Sequence, residues 1–169
     1  MQHLTLIRLS EKDIPVITRL AHVTWNQHYP PIIGQQQVDY MLNLMYSEKS
    51  LTQQMVEKGH LFFAISFDNE NIGFISVHEE KPSQWFLNKF YIDQTKASKG
   101  IGSKAFQSLI HLVKPSSITL TVNRKNFKSI NFYFKNGFRI SEVKDFDIGE
   151  GYVMEDFIMK WEKNILVPF

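Results

Sequence analysis

One stretch constrains this chain more than any other: Phe90-Tyr-Ile-Asp-Gln-Thr-Lys-Ala-Ser-Lys-Gly-Ile-Gly-Ser-Lys-Ala105. The apolar, aromatic-rich run before and into it (Phe86, Leu87, Phe90, Tyr91, Ile92) predicts a strand. Ile101, Ala105, Leu109, Leu112 and Val113 recur at helical spacing. Between the two lies a polar turn that ends in Lys99-Gly100-Ile101-Gly102-Ser103-Lys104. Glycine lets successive backbone N–H groups turn toward one point without a Cβ clash. The positive end of the following helix aims at the same point. Lys96, Lys99 and Lys104 add charge around it. This is the layout of an anion cradle, and the anion it suits is a phosphate.

The common phosphate motifs fit it poorly. Gly100-Ile-Gly102-Ser-Lys-Ala105 matches a relaxed dinucleotide fingerprint. In that fingerprint, however, the first glycine follows its strand almost directly and opens a βαβ unit. Here polar residues 93–99 intervene, and Val122-Asn123-Arg124 puts no acid at the end of the next strand. The glycine and lysine spacing of a P-loop is absent.

The rest of the chain frames the turn. Leu4, Leu6 and Leu9 predict a first strand, and Ser10 with Asp13 predicts a helix start. Ile14, Ile17, Ala21, Trp25 and His28 share one helical face, and Pro30-Pro31 should end that helix. Val38 to Met45 and Leu51 to Val56 suggest two more helices. Leu61–Phe67 and Ile72–Val77 read as a hairpin around the turn Asp68-Asn69-Glu70-Asn71, with a third strand from about Trp85 to Ile92. After the turn and its helix come a strand at Ile118–Val122, a short helix at Phe127–Asn136 stopped by Gly137, and two strands near Phe138–Val143 and Val153–Trp161. No repeat or linker interrupts this order. It predicts one α/β (α+β) domain over residues 1–169, with a single mixed, mostly antiparallel sheet of about seven strands and helices on both faces.

Composition narrows the class. The chain has 169 residues, 43% hydrophobic and 21% charged, as expected of a soluble globular protein. A net charge of +2 with scattered lysines gives no case for nucleic acid. With no Cys there is no disulfide, thiolate metal site or Cys nucleophile. No His/Asp/Glu cluster has metal-ligand spacing, so no metal is expected. No signal peptide or membrane-length apolar run is visible, so a cytoplasmic location is the expectation.

A second segment identifies the phosphate. Asn126-Phe-Lys-Ser129-Ile130-Asn-Phe132-Tyr133-Phe-Lys135-Asn-Gly137-Phe138 resembles the N-x-x-A-I-x-F-Y-x-x-x-G-F signature of the GNAT family of acetyl-CoA-dependent N-acetyltransferases, with Ser129 in the small-residue place. The stretch from Phe90 to Lys104 resembles that family's R/Q-x-x-G-x-G/A motif, with Ala97 in the Arg/Gln place. Both motifs stand in the family's order, and the element order matches over essentially the whole chain. Thr24-Trp25-Asn-Gln-His28-Tyr29 and Asp147-Ile-Gly-Glu-Gly151-Tyr-Val-Met154-Glu-Asp156 look like the branch that includes polyamine and diamine acetyltransferases.

The resemblance implies acetyl-CoA as cofactor, CoA as product, and direct acetyl transfer to the primary amine of a small molecule. A polyamine or diamine is the first expectation. The strand backbone at Phe90, Tyr91 and Ile92 would bind the cofactor and donate N–H groups to the tetrahedral intermediate, and Asn126 would hydrogen-bond the pantetheine region. Ala97, Ser98, Lys99, Gly100, Ile101, Gly102, Ser103 and Lys104 would hold the pyrophosphate. Asn123, Asn126 and Ser129 fall in the cofactor-binding segment, and Lys135 would approach the CoA phosphates. Tyr133 stands at the family's general acid. A phenol with a pKa near ~10 keeps its proton at pH 7 and can give it to a departing thiolate. Tyr133 also has the spacing of a core aromatic beside Ile130, and Asn126 that of a plain N-cap. Lys104 and Lys135 fit solvated surface charges equally well.

Glu79, flanked by His78 and Glu80 after a meander strand, is the candidate base, with a charged hairpin end as the plainer reading. Trp25 and Tyr29 are candidate acceptor-site residues, with core packing the alternative for Trp25. His28 reads as a buried, satisfied histidine. Asp145, Asp147, Glu150, Glu155 and Asp156 would suit a polycation or a charged loop. A homodimer is a further family expectation, with no interface indicated. A protein or peptide N-acetyltransferase and a non-catalytic acyl-CoA-binding module are the alternative functions.

Overall fold

The computed structural model describes residues 3–164. The elements are β1 (Leu4–Leu9), α1 (Ile14–His28), α2 (Pro30–Ile33), α3 (Gln35–Tyr46), α4 (Glu48–Val56), β2 (Leu61–Phe67), β3 (Glu70–Lys81), β4 (Gln84–Ile92), α5 (Ile101–Val113), β5 (Ser117–Asn123), α6 (Phe127–Lys135), β6 (Arg139–Gly149) and β7 (Tyr152–Glu162). The strands form one mixed sheet in the order β1-β2-β3-β4-β5-β7-β6. It is mostly antiparallel, and β4 and β5 are its parallel pair, matched over Gln84–Phe86 and Ser117–Thr119. The chain gathers into two compact units, residues up to 78 with 87–112, and 79–86 with residues from 113 on.

In the first unit, local chemistry sets each start and stop. The Ser10 N–H and hydroxyl both donate to Asp13 Oδ2, at 2.8 and 3.0 Å, and brace a short 3-10 turn that leads into α1. Pro30 and Pro31 do end α1. They then occupy the first positions of the one-turn α2, where proline's fixed φ suits a helix and its missing N–H costs nothing. Asp68 and Asn69 both take positive φ (48° and 66°), the two-residue turn whose twist matches a hairpin. The helices α1, α3 and α4 bury Ile17, Leu20, Ala21, Val38, Leu42 and Leu51, while β2 and β3 bury Phe62, Ala64, Ile65, Phe74 and Ile75. Helix α5 buries Ile101, Ala105 and Leu109 of the expected stripe, together with Phe106, while Leu112 is exposed and Val113 half-buried.

The second unit has its own core of Ile118, Leu120, Ile130, Phe138 and Met159. Asn126 caps α6 by accepting the Ser129 N–H at 3.2 Å. Gly137 ends the helix at φ +91°, with Trp161 across from it. The last two strands are longer than their apolar runs predict. β6 reaches Gly149 because its charged residues 142–147 pair with β7 while facing solvent on both sides.

Gly73 marks the closest backbone approach in the first unit. A Cβ there would overlap the Tyr91 carbonyl oxygen and lie 2.9 Å from Ile92 Cα. The neighbouring backbone contact, Asp93 N–H to Ile72 O at 2.7 Å, fixes β3 against the end of β4. Gly73→Ala should therefore destabilise the protein by about 2 kcal/mol or more, since backbone rather than a side chain must yield. Urea denaturation of the two proteins checks this, and equal midpoints would disprove it.

Candidate active site

The turn after β4 can be followed one N–H at a time. Asp93 N–H donates to Ile72 O. Gln94 N–H donates to Gln27 Oε1 at 2.8 Å, and Thr95 N–H to Asp93 Oδ1 at 2.9 Å. Lys96 and Ala97 N–H groups both donate to Asp93 O. The N–H groups of Ser98, Lys99, Gly100, Gly102 and Ser103 then find no acceptor among the described residues, while Ile101 and Lys104 close local turns onto Ser98 O and Gly100 O. Gly100 holds φ +85°, a left-handed value that a side chain would strain. Five exposed donors at the start of α5 fit a pyrophosphate.

Asp93 organises this turn and was not among the expected site residues. Its Oδ1 also accepts from Gln27 Nε2 and Thr95 Oγ1, both at 2.8 Å. Partial burial pushes its carboxyl up, but the bonds from Gln27 and Thr95 outweigh this and hold it below the usual carboxylate range. Of the nearby lysines, Lys96 is committed elsewhere. It bonds Glu70 at 2.9 Å, and that contact raises its pKa. Lys104 lines a groove of about 430 Å³ with Leu4, Ser103, Gln107 and Ser108.

Phe90, Tyr91 and Ile92 are half-buried at the end of β4. Trp25 and Tyr29 meet Tyr91 in one aromatic cluster, with centroids 5.7 and 6.1 Å from it. Trp25 is buried and its indole N–H donates to the Tyr46 hydroxyl at 3.1 Å. Tyr46 in turn bonds Tyr91, and the Tyr29 and Tyr91 hydroxyls lie 3.3 Å apart. Burial above all drives the Tyr46 pKa upward, so its hydroxyl keeps its proton. An indole N–H can only donate, so the Tyr46 oxygen is the acceptor in that pair. Tyr46 escaped the sequence reading because its partners lie 21 and 45 residues away.

Lys89, two residues before Tyr91 and thus on the same face of β4, is a second unforeseen group. It is 7% exposed, its Nζ donates to Gln54 Oε1 at 2.6 Å, and it sits 5.5 and 5.6 Å over the Tyr46 and Phe62 rings. Burial, with a smaller push from Lys58, lowers its pKa to about 7. Nearby His60 stacks on His78 at 4.7 Å, and burial first, then Lys89, hold it down at about 4. His78 Nδ1 lies 3.1 Å from Asn88 Oδ1.

The second unit carries the other motif. Asn126 is buried as the α6 cap, and Asn123 Oδ1 accepts the Lys125 N–H at 2.9 Å. Ser129 is half-buried and Lys135 exposed on α6. Tyr133 is 8% exposed and lies edge-on to Phe132 and Phe138, each centroid 5.3 Å away. Glu79 Oε1 accepts the Ser83 N–H at 2.7 Å, so its carboxylate braces the β3–β4 turn. Asp145 and Glu155 are shared by Arg124 (2.9 and 3.4 Å), and Lys125 also meets Glu155. These two acids are thereby largely neutralised. Burial raises the Asp156 carboxyl to about 6, against the pull of Thr121 and Arg124.

A cavity of about 1000 Å³ opens between α1 and α3, lined by Glu11, Arg19, His22, Asp39 and Glu48 among others. It holds none of the expected site residues, and its mixed charge selects no ligand. No group of three or more potential metal ligands occurs among the described residues, and none of their helices is long and apolar enough to cross a membrane.

Comparison with known proteins places these features. The family model described as "Acetyltransferase (GNAT) family" matches residues 22–138. The chain belongs to the GNAT acetyltransferase family. Membership makes it an N-acetyltransferase with acetyl-CoA as donor. It is similar to a spermidine N(1)-acetyltransferase of Thermoplasma acidophilum, 26% identical over 88% of this chain and 93% of that protein. It is also similar to the peptidyl-lysine N-acetyltransferase YjaB of Salmonella typhimurium, 26% identical over 71% of this chain and 79% of that one. The crystal structure of PaiA N-acetyltransferase from Thermoplasma acidophilum, in complex with coenzyme A, shares the GNAT fold. Its TM-score is 0.78 at 24% identity, covering 95% of this chain and 99% of that one.

The Lys89 environment has a measurable signature. An unfolded lysine keeps its proton to about pH 10.4, whereas folded Lys89 releases it near 7. Between those values the unfolded state holds more protons, so this residue's penalty shrinks as pH rises, by at most about 1.4 kcal/mol per pH unit. Lys89→Met should therefore be most stable relative to wild type at pH 6.5 and lose that advantage toward pH 10. Thermal melts across this range test the slope. A difference independent of pH would mean that Lys89 titrates normally.

Proposed function

We propose that this GNAT enzyme acetylates a primary amine of a small polyamine or diamine. The observation that carries the donor half is the set of unpartnered N–H groups at Ser98, Lys99, Gly100, Gly102 and Ser103. Likeness to a curated spermidine N(1)-acetyltransferase across 88% of the chain supports the acceptor half. When bound, acetyl-CoA supplies a thioester whose carbonyl carbon accepts the amine and whose sulfur leaves with the bonding electrons.

The chain's own residues would do the remaining work. The 98–103 backbone donors bind the pyrophosphate, and Asp93 with Gln27 keeps them aimed by satisfying the turn's earlier N–H groups. Asn126 and Ser129 join the cofactor side, and Lys135 and Lys104 add phosphate charge. An alkylammonium must first lose a proton, since its pKa is near ~10.4. Glu79 through water is the candidate route. Its hold on Ser83 N–H uses one carboxylate oxygen and leaves the other for that task. Tyr133 gives its hydroxyl proton to the departing sulfur and regains one from solvent. Trp25 and Tyr29 would shape the acceptor side through the aromatic cluster at Tyr91. A peptidyl-lysine acceptor is the second reading, supported by the likeness to YjaB.

CoA release separates these readings. The chain has no Cys, so a thiol reagent reports product CoA without protein background. Spermidine, spermine and diamines should turn over well above lysine peptides. The reverse order would assign a peptide acceptor, and CoA binding with no turnover on either panel would reduce the protein to a binding module. Tyr133→Phe should lower kcat about 100-fold with little change in KM. Asp93→Ala should instead raise the KM for acetyl-CoA, about tenfold, with kcat largely kept. An unchanged kcat in Tyr133→Phe would remove the general-acid role.

A further inference from the structure

Among the described residues, Asp156 on β7 is the one buried carboxylate, 5% exposed, and its Oδ1 has no hydrogen-bond partner. Thr121 supplies the hydrogen bond that the group does make. No lysine, arginine or histidine of the described residues forms an ion pair with it. The two cations best placed to do so are turned elsewhere. Arg124 is taken by Asp145 at 2.9 Å and by Glu155 at 3.4 Å. Lys144 stands directly across from Asp156 in the β6–β7 register, yet its Nζ lies 5.3 Å over the Phe146 ring. Burial accordingly raises the Asp156 carboxyl to about 6, and Asp145 adds a smaller push. A buried anion left in this state is costly, and it calls for a partner from outside the fold.

The surroundings define that partner. In the β5–β7 register Asn123 is opposite Asp156, and Thr121 is opposite Ile158. All four lie on the face away from Ile118 and Leu120, which pack the core of this unit. Met154 and Ile158 flank Asp156 two positions to either side on that face, and both are half-buried. An anionic oxygen between apolar flanks suits an alkylammonium, whose three N–H donors end an aliphatic stem. A guanidinium is served worse, because its fork needs both carboxylate oxygens and Thr121 already engages the group. Asn123 does not compete for a cation. Its Oδ1 accepts the Lys125 N–H at 2.9 Å, and what remains of its carboxamide is a donor.

We propose that Asp156 holds the second ammonium of a diamine or polyamine, the nitrogen that is not acetylated, and so selects dicationic acceptors over monoamines. The assignment rests on the small-amine reading of the acceptor given above. On that reading Asn123 opens the cofactor-binding segment, and Asp156 stands one strand over from it. A carboxylate beside an ammonium favours the charged form of the amine. The nitrogen that attacks the thioester must be neutral, so an ion pair with Asp156 suits the nitrogen that stays charged. Of the acids near the last hairpin, Asp145 and Glu155 already have cations of their own, whereas Asp156 has none.

CoA release at saturating acetyl-CoA tests it, with spermidine and 1,4-diaminobutane compared against n-butylamine. The wild type should favour the two polyvalent amines in kcat/KM by at least about tenfold. Asp156→Asn keeps the shape of the side chain and removes its charge. It should erase most of that preference by raising KM for spermidine and 1,4-diaminobutane, with kcat, the n-butylamine constants and the KM for acetyl-CoA all kept. Circular dichroism confirms that the variant folds, and the wild-type preference is a test that needs no variant. A wild type without the preference overturns the proposal. So does a variant that keeps the preference, or one that loses all three amines equally, which would mark a proton-transfer or structural role. A wild type that acetylates lysine peptides and none of these amines would overturn the small-amine reading and this assignment together. Spermidine turnover with an unaltered preference in Asp156→Asn would overturn this assignment alone.

Discussion

The carboxylate of Asp93 is the interaction on which the turn between β4 and α5 depends. The chain must leave a strand, where each N–H has a ladder partner, and reach a helix, whose first N–H groups have none. Between them the backbone has to be ordered without using up the donors the site needs. Asp93 solves this with two acceptors: its carbonyl takes Lys96 and Ala97, and its carboxylate takes Thr95. Gln27, on α1, takes Gln94 and ties the carboxylate in place. All N–H groups through 97 are thereby consumed locally, and the open ones begin at Ser98. Gly100 can then turn left-handed at no steric cost, and the open donors fall on the first turn of α5. In the proposed pyrophosphate site, Ala97 stands where the family has Arg or Gln, which leaves the proposed attachment to backbone donors.

The face of β4 that carries Lys89 and Tyr91 follows a related logic with buried polar groups. The Trp25 indole N–H donates to the Tyr46 hydroxyl, Tyr46, Tyr91 and Tyr29 are linked hydroxyl to hydroxyl, and Lys89 meets a carboxamide and two rings. Such networks cost more than an apolar core when any member is unsatisfied. The stack of His60 on His78 adds titratable groups to the same unit, and His60 is kept neutral by burial and by Lys89. A lysine whose charged form is this poorly supported gives up its proton near neutrality, at about 7. That lets the aromatic cluster stay packed without a buried counter-ion.

Much of this was legible in the sequence, and what was not shares a cause. The glycine turn, the Asn126 cap and the burial of Trp25 and Tyr133 follow from local patterns a few residues long. Asp93 and Gln27 are 66 residues apart, and neither has a distinctive spacing. Lys89 sits at a position whose period-2 neighbours, Leu87 and Tyr91, do face inward. Alternation marks it as buried, but lysine's usual exposure argues the other way. Pro30-Pro31 read as a stop because proline breaks a helix interior, yet the same residues start α2, since a first turn asks for no N–H. Glu79 was expected to follow a strand ending at Val77, but β3 runs on to Lys81 and includes it. What local pattern did not reveal is that one of its oxygens is engaged by Ser83.

β6 shows the limit of pattern reading most clearly. Alternation of apolar and polar residues signals a strand only where one face is buried. Residues 142–147 are exposed apart from the half-buried Phe146, so charge carries no information about direction there, and the segment looks like a loop. The same charges take on meaning once the segment is known to be a strand at an edge. Bulges and alternating charges are what keep an open edge from pairing at random.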